Sequence, residues 1–294
     1  MDNKIKNNIA LKVKDHSVSG EEFQLVKNKT YGFLETIPKP SLEDLPEYYK
    51  TEDYISHTDS KRNLFEKAYH SIRQISLKKK LKLINSFNIL ENQQDKSEQK
   101  TLLDFGCGTG DFLKTAQSNN WNVSGIEPNE DARKIANQKT SNTVFGSDHL
   151  MSFTKHSFDV ITLWHVLEHV PNLEEQIKQL KNLLKQDGIL IVAVPNYKSY
   201  DATYYKQFWA AYDVPRHLWH FNQTSVSKLF SSIKMKVIKT KPMVFDSYYV
   251  SLLSEKYKSG KMKIFNASWT GFKSNLKAKS SGEYSSLIYI IKNS

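Results

Sequence analysis

Residues 101–113, TLLDFGCGTGDFL, constrain the fold more than any other stretch of this chain. An apolar run, Leu102 and Leu103, meets an acid at Asp104, turns through Gly106, Gly108 and Gly110, and enters a helical pattern at Asp111. The order predicts a buried parallel strand, a tight turn and a helix start. Glycine in such a turn reaches positive φ and lets a ligand approach the bare backbone. The helix start beyond it presents unpaired N–H groups to a polar or anionic ligand group. A small, partly charged molecule is expected here.

A dinucleotide turn reads G-x-G-x-x-G, whereas this one reads G-x-G-x-G behind a strand-terminal acid. DFGCGTG instead resembles the first motif of the class I S-adenosylmethionine-dependent methyltransferases, and four further segments follow that family in order. Asn122–Glu127 (NVSGIE) is a second short strand ending in an acid. Val144–Asp148 (VFGSD) is similar to the segment after the third strand. Phe158–His169 (FDVITLWHVLEH) is similar to the fourth strand and its exit, and Leu184–Asn196 (LKQDGILIVAVPN) to the Gly turn and fifth strand. The resemblance implies S-adenosyl-L-methionine as cofactor. Its binding set would comprise Asp104, Gly106, Cys107, Gly108, Gly110, Glu127, Pro128, Ser147, Asp148, Trp164 and His165. Glu127 would accept the ribose hydroxyls and Asp148 would read the adenine amine.

Strand and helix patterns alternate from residue 101 to 194, which implies a parallel α/β sheet covered on both faces. Ligands bind such sheets outside the carboxyl ends of the strands, at the topological switch. Asp104, Glu127, Asp148 and Trp164–His165 all lie at or just past such ends. The resemblance extends this to a doubly wound, mostly parallel seven-stranded sheet whose last two strands form a reversed pair. The expected organisation is an N-terminal extension over 1–95, a methyltransferase core over 96–243, a helical insertion over 244–282 and the last core strand over 283–294.

In the extension, Phe23–Glu35 alternates around Asn28-Lys29 as a short hairpin, and Pro38, Pro40 and Pro46 follow. A long helix is expected over 60–87, with Leu64, Ala68, Ile72, Ile75, Leu81 and Ile84 near one stripe and packed to help cover the cofactor. Tyr54 and His57 stand at its approach, as cofactor contacts or as loop anchors. The only cysteine is Cys107, so neither a disulfide nor a cysteine-ligated zinc module is available.

His165-Val166-Leu167-Glu168-His169 matches the letters of an H-x-x-E-H zinc motif, but that motif needs an uninterrupted helix. A strand pattern precedes His165 and Pro171 follows, so no metal is expected. In the family reading His165 faces the site, Glu168 holds the turn and His169 is structural. Downstream, 197–221 is dense in aromatics that either line an apolar cavity or pack the exit from the sheet. Within it Asp213, Arg216, His217 and His220 cluster. Histidine is the natural base near neutral pH. His165 or His217 would deprotonate a substrate hydroxyl and Arg216 would bind an anionic group; the alternative is a polar tether for the loop. The insertion carries two helical patterns, 247–258 and 266–278, with Phe265, Trp269, Phe272 and Leu276 at helical spacing and a lysine-rich surface. It reads as a lid, or as a dimer contact.

The formal charge of +11 comes almost entirely from lysine, with arginine only at 62, 73, 133 and 216. Arginine is the usual tool for specific phosphate and base contacts, so a small-molecule acceptor is favoured over RNA. A non-catalytic protein that kept the cofactor fold is the third reading. Apolar runs such as Ile189–Val194 are too short to span a bilayer, and MDNKIKNNIALKVK has no signal-peptide segment. A cytoplasmic location is expected.

Overall fold

The computed structural model describes residues 9–41, 43–49, 64–87 and 99–294, with side chains of the long helix described from Ile72 onward. Tyr54 and His57 lie outside the described residues. In chain order the elements are β1 (Ile9–Lys14), β2 (Glu22–Lys27), β3 (Leu34–Ile37), α1 (Leu64–Asn85), β4 (Thr101–Phe105), α2 (Asp111–Gln117), β5 (Asn122–Ile126), α3 (Glu130–Thr140), β6 (Val144–Phe145) and β7 (Phe158–Trp164). They continue with α4 (Leu173–Leu183), β8 (Leu184–Pro195), α5 (Tyr200–Tyr205), β9 (Trp219–His220), α6 (Gln223–Ser231), β10 (Met235–Pro242), α7 (Asp246–Ser259), α8 (Ile264–Ser281) and β11 (Ser286–Asn293).

The expected seven-stranded sheet is present, in the order β10-β11-β8-β7-β4-β5-β6. Strand β4 pairs in parallel with β5 on one side and β7 on the other, and β5 pairs in parallel with β6. The chain therefore reverses its direction of winding at β4, and the glycine turn leaves the carboxyl end of that strand. Leu102, Leu103, Val160, Ile161 and the whole run Ile189–Val194 are buried, the continuous apolar pattern of strands covered on both faces.

The chain divides into two compact units. One contains 52–166, 174–192 and 290–294 and holds the glycine turn. In it, α1 buries Leu77, Leu83 and Ile84, while Ile72 and Ile75 are exposed. The inward stripe is thus displaced from the one read in the sequence. It carries Arg73, which pairs with Asp111 at the start of α2, and Lys80, whose Nζ lies 4.3 Å from the centre of the Trp164 ring. Those two cations share the inward side with Leu77 and Ile84.

The other unit contains 1–51, 167–173 and 193–289. The hairpin around Asn28 forms as β2 and β3, with Lys27 opposite Leu34. The Asn28 side chain accepts from the N–H groups of Thr30 and Tyr31 and closes the turn. β1 adds to one edge and β9 to the other, giving a four-stranded sheet. Its apolar face, Val13, Phe23, Leu25 and Leu34, packs on Tyr205, Trp209, Tyr212 and Val214. Those aromatics of 197–221 are core, and Trp209 is held further by donating Nε1–H to Asp201, 2.8 Å.

Candidate functional site

The glycine turn works by close approach. Gly106 has φ +75, and a Cβ there would sit 2.5 Å from Cγ2 of Val166, so only glycine lets the exit of β7 close against the turn. Gly108, at φ +55, is the opposite case: nothing lies within 4 Å of where its Cβ would be. The backbone at that point is bare and open. Gly110, also left-handed, occupies the N-cap of α2.

Two carboxylates border this opening. Glu127, at the end of β5, accepts from the Gly108 N–H at 2.8 Å and, through its other oxygen, from the Asn129 N–H at 2.9 Å. The side chain is buried, 2% exposed. Burial raises its pKa, against the two N–H donors and the nearby Arg133 charge. Arg133 donates to the carbonyls of Glu127 and Pro128 and fixes the strand's exit, a role the sequence reading missed. Asp104 is also 2% exposed and accepts from the Thr162 hydroxyl at 2.6 Å. Burial lifts its pKa to about 6; Thr162 and the Lys80 charge oppose the rise, and the like charge of Glu127 adds to it. A carboxylate pair of this kind favours a cationic ligand group. Each Glu127 oxygen accepts one backbone N–H and has a further lone pair for a hydroxyl donor.

Ser147 and Asp148 stand exposed in a short 3-10 turn just past β6, with Phe145 stacked on His149, ring centres 4.0 Å apart. Pro128 is exposed beside Glu127. Cys107 is half-buried within the turn, and burial pushes its thiol far above the ordinary range, which disfavours the thiolate. Trp164 closes β7, edge-on to Phe112 at 5.7 Å. His165 follows at φ +57, a left-handed conformation uncommon for a residue with a side chain. Strand, left-handed bend and a 3-10 turn over Leu167–His169 replace the helix that a zinc-protease reading would need.

The second group of candidate residues lies in the other unit. Asp213, itself left-handed at φ +38, pairs with Arg216 at 2.5 Å, and Arg216 also donates to Ser17 at 3.2 Å. Burial would raise the Asp213 pKa, but the charges of His217 and Arg216 outweigh it and hold the carboxyl below its usual range. His217 donates Nδ1–H to the Ala211 carbonyl at 2.9 Å, since that oxygen can only accept. Its Nε2 lies 3.7 Å from Asp213. His169 bonds the Arg216 carbonyl and the Tyr49 hydroxyl through Nδ1, both at 3.0 Å. Burial lowers its pKa to about 4. Its ring meets that of His217 edge-on at 4.5 Å.

Glu168, His169 and His217 each offer a ligand atom, all within 4.8 Å of one another, a set able to hold a metal ion. The sequence reads Glu168 as holding the turn and His169 as structural; nothing local in HVLEH signals that His217, far along the chain, joins them. His220 is occupied elsewhere. Thr36 gives its hydroxyl proton to the His217 carbonyl, so His220 Nε2–H donates to Thr36 at 2.9 Å. Burial keeps that ring neutral.

Comparison with known proteins agrees with this geometry. A family model described as a methyltransferase domain matches residues 61–239. The ubiquinone biosynthesis O-methyltransferase of Glaesserella parasuis serovar 5 is 37% identical over 109 residues, covering 33% of this chain and 46% of the relative. That of Hydrogenovibrio crunogenus is 30% identical over 142 residues, covering 45% and 54%. The chain thus spans about half the length of the curated relatives it matches. Among solved structures, magnesium protoporphyrin IX methyltransferase from Synechocystis PCC 6803 with bound SAH superposes with a TM-score of 0.55 at 16% identity, over 86% of this chain and 100% of that one. Family model, sheet order and glycine turn agree: the chain belongs to the class I S-adenosylmethionine-dependent methyltransferases.

Proposed function

We infer that this protein transfers the methyl group of S-adenosylmethionine to a small-molecule acceptor by in-line displacement, with a hydroxyl oxygen as the acceptor and a nitrogen as the alternative. The observation that carries the reading is the 2.8 Å contact between Glu127 and the Gly108 N–H, which holds a carboxylate against an open stretch of backbone. The residues fit a nucleoside sulfonium. Glu127 offers lone pairs to a diol, the bare Gly108 backbone admits a flat ligand, and Asp104 offers negative charge to a cation. The names of the matched O-methyltransferases support a hydroxyl acceptor.

When bound, S-adenosylmethionine would supply an electrophilic methyl group with a neutral thioether as its leaving group. The chain's own contribution is placement and exclusion of water. A hydroxyl acceptor must also lose its proton. In its neutral form His217 suits that step, because Nε2 is not engaged by the Ala211 hydrogen bond and Asp213, 3.7 Å from that nitrogen, would stabilise the imidazolium. His165 is the second base candidate. Asp213 and Arg216 act as positioning residues for His217.

The test is methyl transfer from labelled S-adenosylmethionine to a panel of small hydroxyl and amine compounds, alongside calorimetric titration with S-adenosylhomocysteine. Saturable binding of S-adenosylhomocysteine with labelling of hydroxyl compounds supports the reading. Absence of binding removes it.

A further inference from the structure

Helix α8 is built inside out. Its buried residues are Ala267, Thr270, Gly271, Ser274 and Ala278, whereas Phe265 is 92% exposed, Trp269 58%, Phe272 47% and Leu276 52%. At 100° per residue, positions 265, 269, 272 and 276 form one narrow stripe, and 267, 271, 274 and 278 lie on the opposite side. The small face packs against α7. A Cβ on Gly271 would sit 2.8 Å from the Tyr248 ring, and Ser247 donates its hydroxyl to the Gly271 carbonyl at 3.2 Å. On the same side Ser274 donates to the buried Asp201 at 2.6 Å. The contacts that seat the helix are made by small and hydroxylated side chains, and its large apolar side chains are left facing solvent. An ordinary surface helix does the reverse.

The charge around this stripe is of one sign. Between Glu255 and Glu283 the chain has seven lysines and no acid. Lys273 places its Nζ over the Trp269 ring, 5.0 Å from its centre. Aromatic and aliphatic side chains bordered by lysine ammonium groups match the interfacial region of an anionic bilayer. No described helix is long and apolar enough to cross a membrane, so the match is to lying on the surface. A second copy of the chain fits poorly, because a two-fold contact through this stripe would set one lysine border against another.

We propose that the outward face of α8 is a membrane-docking surface for anionic lipid, with Phe265, Trp269, Phe272 and Leu276 entering the acyl boundary and the flanking lysines reading the headgroup charge. The proposal is independent of the acceptor's identity and of the reaction itself.

The test is flotation with vesicles of phosphatidylcholine alone or mixed with phosphatidylglycerol. Binding is expected to the mixed vesicles and to fall roughly tenfold or more as salt is raised or when Lys261, Lys263, Lys273 and Lys279 are all changed to Gln. Trp269 supplies a second readout, since Trp121, Trp209 and Trp219 are buried. Its emission is expected to shift to the blue on binding, and the shift to vanish in Trp269→Phe. The double variant Phe265→Ser/Trp269→Ser removes only exposed side chains and is expected to keep its circular dichroism and its affinity for S-adenosylhomocysteine while losing flotation. No flotation by the unmodified protein, equal binding to both vesicle types, or flotation unchanged in the variants would overturn the proposal. A concentration-dependent dimer by sedimentation that the double variant abolishes, without lipid binding, would assign the face to a second copy instead.

Discussion

Asp104 is a buried carboxylate and Asp213 a half-buried one, and they are treated oppositely by their surroundings. Asp213 has its countercharge within hydrogen-bonding distance, so Arg216 and His217 hold it ionised and the charge is settled inside the fold. Asp104 receives a neutral hydroxyl from Thr162, and burial leaves its pKa at about 6. A buried carboxylate neutralised from within is architecture; one left under-compensated is costly until a cation arrives from outside. On that criterion we propose the Asp104–Glu127 rim as the binding site, with the Asp213–Arg216 pair setting the loop that carries His217.

The largest test of this contrast is Asp213→Ala, which leaves the Arg216 guanidinium without its partner and is expected to lower stability by about 3 kcal/mol in denaturant unfolding. A loss near zero would move Asp213 out of the architectural class. Next, Glu127→Ala should weaken S-adenosylhomocysteine by roughly thirtyfold in a calorimetric titration, the worth of about 2 kcal/mol of charge-assisted hydrogen bonds. Unchanged affinity would dissolve the rim as a site. Asp104→Asn keeps the acceptor for Thr162 and removes the charge. It should stabilise the ligand-free protein at pH 8 by about 1 kcal/mol, read as a higher melting temperature, while weakening the ligand. Loss of both properties together would place Asp104 with Asp213.

The two regions should also answer acid with opposite signs. Asp104 has a raised folded pKa, so its contribution to stability is present below the unfolded value and lost as pH rises through about 6. His169, lowered to about 4, contributes stability above the unfolded value of ~6.5 and loses it as pH falls toward 4. Residue-resolved amide exchange between pH 7 and 5 should therefore show protection rising around 101–105 and falling around 167–171. A common direction in both would show that neither group governs its surroundings. The smallest effect belongs to Ile75→Gln on the exposed side of α1, expected to stay within ~0.5 kcal/mol of the unmodified protein.

The glycine turn, the acid at the end of β5 and the alternation of strand and helix were legible because each is written in a few consecutive residues. The hairpin around Asn28 and the spans of α7 and α8 were legible for the same reason. Other features depend on partners remote in sequence. β9 is two residues long and exists because Trp219 and His220 meet Glu35 and Leu34. The face of α1 was legible only in part: Ile84 is buried as expected, whereas Ile72 and Ile75 are exposed and Arg73 and Lys80 reach Asp111 and Trp164. β1 was passed over although Ile9, Leu11 and Val13 alternate, since two exposed flanks gave it little contrast. The set of Glu168, His169 and His217 joins two segments nearly fifty residues apart, and no local spacing announces it.

The attachment of α1 has its own consequence. Arg73–Asp111 is partly solvated, and Lys80 lies on the face of Trp164. Fastenings of this sort weaken as counterions accumulate, whereas the buried sheet beneath is indifferent to them. The helix beside the start of α2 is thus tunable by ionic strength, and the glycine turn's immediate surroundings become a property of the medium as well as of the chain.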